Sequence, residues 1–427
     1  MKRLIVVTAA LVFLYSCKTG TTLFGKKNYH EQYGKRIADA GLAETAMGRI
    51  WFQQAEQALT QPQAVKLPYR QKGYFADDKP RATGLSFAAQ RGEKLFFKLE
   101  KNPANGFVIY ADLWKSGEGR PPSLLISADT LQAEFTYEVS ESGNLLIRLQ
   151  PELLSSGEYT LSISVGPSLG FPVAGSSGRI GSFWGVSRDG GARKHEGIDI
   201  FASKGTPVVA SADGVVTRVN ENNLGGKVVW MRPKDQNLNL YYAHLDQQLV
   251  TSGTTVKKGD TLGLMGNTGN AVTTSPHLHF GIYTMGGAVD PLPFVNPAIK
   301  SPPSVNIPSA RLNNFQRLNS EVRINQILLP RQTIIYTNAA DAQNFIAETP
   351  LGQPLIVPIS STQSIDNQLN TKKIIVEIPL LEKPITGAAA KAILPAGTTV
   401  SVLGIFNNHA FVRIAEEEGW VPASAVR

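Results

Sequence analysis

The sequence predicts a mainly β protein: short N-terminal helices, then a β-sandwich, an antiparallel β domain and a small C-terminal barrel. Three observations predict it. Short runs of alternating or β-branched residues, parted by Gly, Pro, Asn and Ser clusters, recur from about residue 84 onward, the pattern of strands and turns. A helical period stands out over residues 29–60. The chain of 427 residues exceeds what one hydrophobic core organises, which calls for several domains.

The chain opens MKRLIVVTAALVFLYSC. Lys2 and Arg3 precede an apolar run from Leu4 to Tyr15. That run is shorter than the roughly 20 residues of a spanning helix and fits a signal-peptide core. Residues 1–16 therefore read as a signal peptide and 17–28 as a linker. The end of the run, Leu14-Tyr15-Ser16-Cys17, resembles the lipobox of bacterial lipoproteins, although Tyr15 replaces the usual small residue. The resemblance implies lipidation of Cys17 and a membrane anchor through it. Lys18, rather than the aspartate of inner-membrane retention, points to the outer membrane facing the periplasm. The competing reading is an ordinary secretory signal with a chance cysteine. Cys17 is the only cysteine, so no intramolecular disulfide is expected even in a compartment that permits one.

Formal charge is +8 and falls to +6 without Lys2 and Arg3. A mildly basic protein suits an anionic cell envelope. No Lys/Arg-rich run argues for nucleic acid.

Over residues 29–60, Met47, Trp51, Ala55, Ala58 and Leu59 mark one buried helical face, and Gly41 predicts a break into two helices. Residues 80–167 read as the β-sandwich, a spacer or binding module. Its strand runs are Leu95–Leu99, Phe107–Trp114, Phe135–Val139, Leu145–Leu149 and Tyr159–Val165. Residues 172–297 are rich in Gly and β-branched residues and form the third unit. Residues 298–385, rich in Pro, Asn and Gln, read as a linker with strand-like segments. In residues 386–427, LPAGT, FVRI and GWVPASAV resemble the bacterial SH3-like domain, and His409 falls in an expected surface turn beside Asn407 and Asn408.

Histidine is scarce, and four of the six lie between 195 and 279. SPHLHFGIY, residues 275–283, reads as a strand on which His277 and His279 share one face and Leu278 and Phe280 the other. RKHEGIDIFA, residues 193–202, places His195 and Asp199 four apart, and Gly197 with Ile198 and Ile200 favours extended chain over helix. NLYYAHLDQ, residues 239–247, alternates up to His244. Three strands can thus bring His195, Asp199, His244, His277 and His279 to one cleft. Imidazoles and a carboxylate suit a hydrolytic zinc site, which takes three protein ligands and keeps one position open. Five groups exceed three ligands and leave two histidines for proton transfer or oxyanion stabilisation. HEGID also looks like the HExxH helix, in which the glutamate is the base. On a strand, however, Glu196 faces away from its neighbours.

HEGID, YYAH and HLH in this order resemble the lysostaphin/LytM-type zinc metallopeptidases that cut peptidoglycan peptides. The flanking FWGVSRDGG, GTPVVASADGVV and GTTVKKGDTLGLMGNTGNA agree. HxH or HxxxD alone is weak, but the three together are specific. The resemblance covers residues 172–297, under a third of the chain. It implies one zinc per chain on His195, Asp199 and His279, with His244 and His277 as catalytic histidines. It also implies peptidoglycan as substrate, cut by a D,D-endopeptidase activity; any protein regulator is left unnamed. A tyrosine that some members carry upstream of the first ligand is absent, Trp184 being the nearest aromatic. Arg188 and Arg193 are candidates for binding substrate carboxylates, and Asn267 and Asn270 for supporting turns. The competing function is a non-catalytic scaffold that activates another wall hydrolase, of the kind that has lost zinc ligands. A lipoyl-type carrier, to which ADGVVTRV and GTTVKKGDTLG have some likeness, lacks its hairpin lysine here.

Overall fold

The computed structural model describes residues 28–117, 119–175, 178–324 and 327–427. The leader and Cys17 lie outside the described residues. As expected, two helices come first: α1 (Tyr29–Asp39) and α2 (Ala46–Thr60). Asn28 caps α1 by accepting from Glu31 N–H, and Thr45 caps α2 by accepting from Gly48 N–H. Between them Gly41 takes a left-handed φ of 71°, which ends the first helix. The buried face (Trp51, Ala55, Ala58) lies on the sandwich. Trp51 Nε1 donates to Pro151 O (2.9 Å) and Gln150 Nε2 to Trp51 O (2.8 Å), both bonds reaching the strand Gly143–Pro151.

The sandwich is present, but it begins before residue 80. One sheet runs Gln63–Ala64, Thr83–Ala89, Gly143–Pro151, Ile109–Lys115, Ser123–Ser127. The facing sheet contains Tyr69–Phe75, Gly157–Pro167, Glu93–Asn102 and Glu134–Glu138. Leu85, Phe97, Leu113, Ile147 and Leu161 fill the space between. The strand Tyr69–Phe75 escapes a hydrophobic pattern because Gln71 and Gly73 occupy two of its inward positions. Gln71 is buried at no hydrogen-bonding cost, since it donates to Tyr159 OH (2.6 Å) and accepts from Tyr69 OH (3.0 Å).

Residues 298–385 are not a linker. The strand Ile334–Ala340 pairs with Tyr69–Phe75 through Lys72 opposite Ala340 and Gly73 opposite Ala339. The sandwich sheet thereby continues into Asn344–Glu348 and Pro354–Pro358. Leu318, Ile335, Phe345 and Val357 form the core of this unit. Polar residues at buried positions hide it from a reading of composition. Arg317 Nη1 donates to Leu403 O (2.6 Å), and Thr337 Oγ1 donates to Arg311 O (2.6 Å). The C-terminal unit also starts earlier than 386, at Asn370–Lys373. Its six strands form an open path, Asn370–Lys373, Thr399–Phe406, His409–Ile414, Glu417–Pro422, Ile378–Leu381, Ala390–Leu394, so the described residues do not close the expected barrel. His409 is the half-buried first residue of a strand rather than a surface-turn residue.

The third unit holds the sheet that matters for function. Its path is Arg179–Ser182, Ile198–Phe201, His277–Thr284, Asn239–Gln248, Gly226–Pro233, Gly214–Asn222, Thr255–Val256. Neighbours along it are antiparallel. Ile198, Ile200, Leu278, Phe280, Ile282 and Tyr242 face its core, leaving the alternate residues for the opposite face.

Candidate functional site

The register of two strands builds the centre of the site. Asp199 stands opposite His279, and Phe201 opposite His277. Their alternation with buried Ile198, Ile200, Leu278 and Phe280 turns all four away from the core. His195 lies just before the strand Ile198–Phe201 in irregular chain, where its N–H donates to Val186 O (2.8 Å) and its carbonyl accepts from Gly185 N–H (2.9 Å). Gly197 lets this segment pass close to the neighbouring strand. A Cβ there would lie 2.6 Å from Phe280 O and 2.7 Å from His279 Cε1.

Three atoms converge. His195 Nε2 and Asp199 Oδ1 are 3.0 Å apart, His279 Nδ1 and Asp199 Oδ1 3.1 Å, and His195 Nε2 and His279 Nδ1 3.0 Å. His195 and Asp199 are buried and His279 half-buried. His195 Nδ1 donates to Phe183 O (2.9 Å), which fixes its proton there and turns the Nε2 lone pair toward the other two atoms. Two imidazole nitrogens and a carboxylate oxygen facing one point make a donor set for a metal ion. Tetrahedral zinc, with bonds of about 2.0–2.2 Å, separates ligand atoms by roughly 3.3–3.6 Å, a few tenths wider than the spacing here. Burial pushes the Asp199 carboxyl up, but its contacts with the His195 and His279 rings outweigh burial and hold the group well below the usual carboxylate range. The donor set thus keeps its negative charge.

His244 and His277 flank this set, with ring centroids 4.9 Å apart, and His244 is 6.0 Å from His279. Each places Nδ1 on a backbone carbonyl, His244 on Thr268 O (2.8 Å) and His277 on Ser275 O (2.9 Å). A carbonyl only accepts, so Nδ1 carries the proton in both rings and Nε2 is the basic nitrogen. Burial, with His277 and His279 nearby, lowers the His244 pKa to about 4. That ring is neutral near pH 7 and able to take a proton.

The five residues His195, Asp199, His244, His277 and His279 singled out in the sequence therefore meet at one site. Glu196 is exposed. Asn267 supports a turn, its Nδ2 donating to Val272 O and Thr274 O (3.2 and 3.3 Å). Arg188 does not stand free for a substrate: its Nη2 donates to Asp199 Oδ2 (2.6 Å) and Ser182 Oγ (2.8 Å). The carbonyls of Phe183, Thr268 and Ser275, which orient three histidines, leave no mark in a sequence because every residue has one.

Residues 193–291 match the model of peptidase family M23, so this unit is a Peptidase M23 domain. The chain is 42% identical over 195 residues to a protein of Haemophilus influenzae described as an uncharacterized metalloprotease, covering 44% of this chain and 37% of that one. It is 32% identical over 154 residues to the peptidoglycan DD-endopeptidase ShyC of Vibrio cholerae, covering 34% and 32%. Over 121 residues it is 36% identical to the murein hydrolase activator NlpD of Salmonella dublin, covering 28% and 30%. The chain thus spans about a third of the length of these relatives.

Proposed function

We propose that this protein is a lipid-anchored zinc metalloendopeptidase of the cell envelope that hydrolyses peptide cross-links of peptidoglycan, as a D,D-endopeptidase. The observation that carries the reading is the convergence of His195 Nε2, Asp199 Oδ1 and His279 Nδ1 within 3.0–3.1 Å, beside two histidines whose basic nitrogens are both Nε2. In this reading His195, Asp199 and His279 hold one zinc ion. When bound, zinc supplies Lewis acidity and a water acidic enough to lose a proton near neutral pH.

The chain's own residues do the rest. His244, neutral and fixed by Thr268 O, takes a proton at Nε2. His277, fixed by Ser275 O, presents Nε2 to the same space and, once protonated there, donates that proton to the leaving amine. Asp199 supplies the negative charge of the donor set. The D-alanyl–diaminopimelyl bond as target comes from the family resemblance, supported by the likeness to a DD-endopeptidase.

The second reading, a scaffold that activates a separate wall hydrolase, has the likeness to a murein hydrolase activator in its favour. The complete donor set stands against it. Residues 18–427 are incubated with dye-labelled sacculi, alone and with a purified amidase. The enzyme reading expects dye release by this protein alone, lost on chelation and in Asp199→Ala. Release only with the amidase, unchanged in Asp199→Ala, would establish the scaffold reading. For the anchor, Cys17→Ser is expected to leave the outer-membrane fraction or retain its signal; a variant still fractionating with outer membranes would refute lipidation.

A further inference from the structure

The two carboxylate oxygens of Asp199 face different partners. Oδ1 points to His195 Nε2 and His279 Nδ1 at 3.0 and 3.1 Å, whereas Oδ2 accepts from Arg188 Nη2 at 2.6 Å. Arg188 belongs to a short strand, Ser187–Arg188, paired with Arg193–Lys194, and therefore reaches Asp199 from outside the sheet that carries it. The same Nη2 also donates to Ser182 Oγ (2.8 Å), and Ser182 Oγ lies 3.4 Å from His195 Nδ1. With Phe183 O on His195 Nδ1 (2.9 Å), the segment 182–188 holds both His195 and Asp199 from behind.

We propose that Arg188 is a positioning residue that fixes Asp199 as a single-oxygen metal ligand and does not serve as a receptor for substrate carboxylates. The proposal rests on the metal reading of the His195, Asp199 and His279 set. A free carboxylate rotates about its last torsion and can offer both oxygens to a cation. A charge-assisted hydrogen bond of 2.6 Å on Oδ2 stops that rotation and aims Oδ1. Two effects oppose each other here. The guanidinium charge draws electron density from the carboxylate and weakens a metal bond, while the fixed orientation strengthens it. Orientation prevails in general, since losing such an outer partner typically costs 10–100-fold in metal affinity.

The test titrates the full-length chain, purified in mild detergent, with zinc against a competing chelator, and with cobalt(II) followed by its visible absorption. Wild type, Arg188→Ala, Arg188→Gln and Arg188→Lys are compared, with circular dichroism of the metal-free proteins as the folding control. Arg188→Ala is expected to bind zinc about 10–100-fold more weakly. Its cobalt band is expected to weaken as the second carboxylate oxygen joins the ion and coordination number rises. Arg188→Lys and Arg188→Gln, which keep a donor, should recover part of the affinity. If Arg188→Ala unfolds, those two decide the matter, and wild-type affinity and spectrum in both would overturn the proposal. Unchanged affinity and spectrum in a folded Arg188→Ala, with only KM for sacculi raised, would assign Arg188 to substrate instead. A wild-type chain that binds neither metal would overturn the metal reading itself, a failure distinct from these.

Discussion

Tyr242 and His244 stand two apart on one strand yet face opposite sides of the sheet. Tyr242 packs in the core against Phe280, with ring centroids 5.2 Å apart, and its hydroxyl reaches Ser211 Oγ. His244 instead lies 4.9 Å from the His277 ring on the site face. A regular strand would keep both on the core side. The difference is a bulge: Ala243 and His244 together oppose Val228, between the pairs Val229–Tyr242 and Lys227–Leu245. His244 sits at its centre with φ 64°, in the left-handed region where a side chain costs energy.

That strain separates stability from function at one position. His244→Gly is expected to be more stable than His244→Ala by about 1 kcal/mol, because only glycine takes this φ freely. Both variants should bind zinc as wild type does and lose on the order of 10²-fold or more in rate, the scale of an acid–base group. Denaturant unfolding with parallel assays on sacculi reads both. An active His244→Gly would remove the ring from the chemistry.

His277 and Glu196 distinguish two zinc chemistries written in the same letters. Glu196 is exposed in irregular chain, not on a helix that would turn it toward the site. Glu196→Gln should retain most activity and zinc. His277→Ala should retain zinc and lose on the order of 10²-fold or more in rate. The opposite pair of results would restore glutamate as the base.

Gly197→Ala tests the close approach beneath His279. Its new Cβ would lie 2.6 Å from Phe280 O and 2.7 Å from His279 Cε1, so a strand or a ligand ring must move. Zinc affinity should fall at least about 10-fold, as for other disturbances of ligand orientation. Wild-type affinity would mean that the segment yields without moving His279.

His30 gives the helical unit a dependence on pH that is independent of the site. It is buried, stacks on Trp51 with ring centroids 4.6 Å apart, and donates from Nε2 to Gln150 Oε1 (2.6 Å). Burial, then the charge of Arg148, lowers its pKa from 6.5 to about 4. Between those values the unfolded chain binds the proton and the folded chain does not, so stability rises with pH. The contribution, on the order of 3 kcal/mol, is present above pH 6.5 and is lost as pH falls toward 4. Thermal unfolding at pH 7 and pH 4.5 should show a smaller acid destabilisation in His30→Gln than in wild type. Equal losses would place the acid sensitivity elsewhere.

The site was legible where chemistry and period coincide. Alternation of Leu278 and Phe280 with His277 and His279, and of Ile198 and Ile200 with Asp199, assigns faces without knowledge of the fold. Scarcity of histidine did the rest. The bulge at His244 was not legible, because one extra residue in a ladder changes no residue type. Nor was the reach of Arg188 to Asp199, which depends on how an irregular segment folds back. In the fold, inward polar residues such as Gln71, Gln316 and Arg317 broke the hydrophobic period and concealed whole strands. Their burial rests on partners far away in sequence, such as Tyr159 for Gln71 and Leu403 for Arg317.

The most direct test of the whole account is mass spectrometry of muropeptides. Purified sacculi are digested with residues 18–427 loaded with zinc, with the Asp199→Ala variant as control, and the products are then released by a muramidase. Cross-linked dimers are expected to fall and uncross-linked monomers to rise, each newly cut peptide ending at D-alanine, with Asp199→Ala leaving the profile untouched. Unchanged dimers, or the same cleavage by Asp199→Ala, would contradict it.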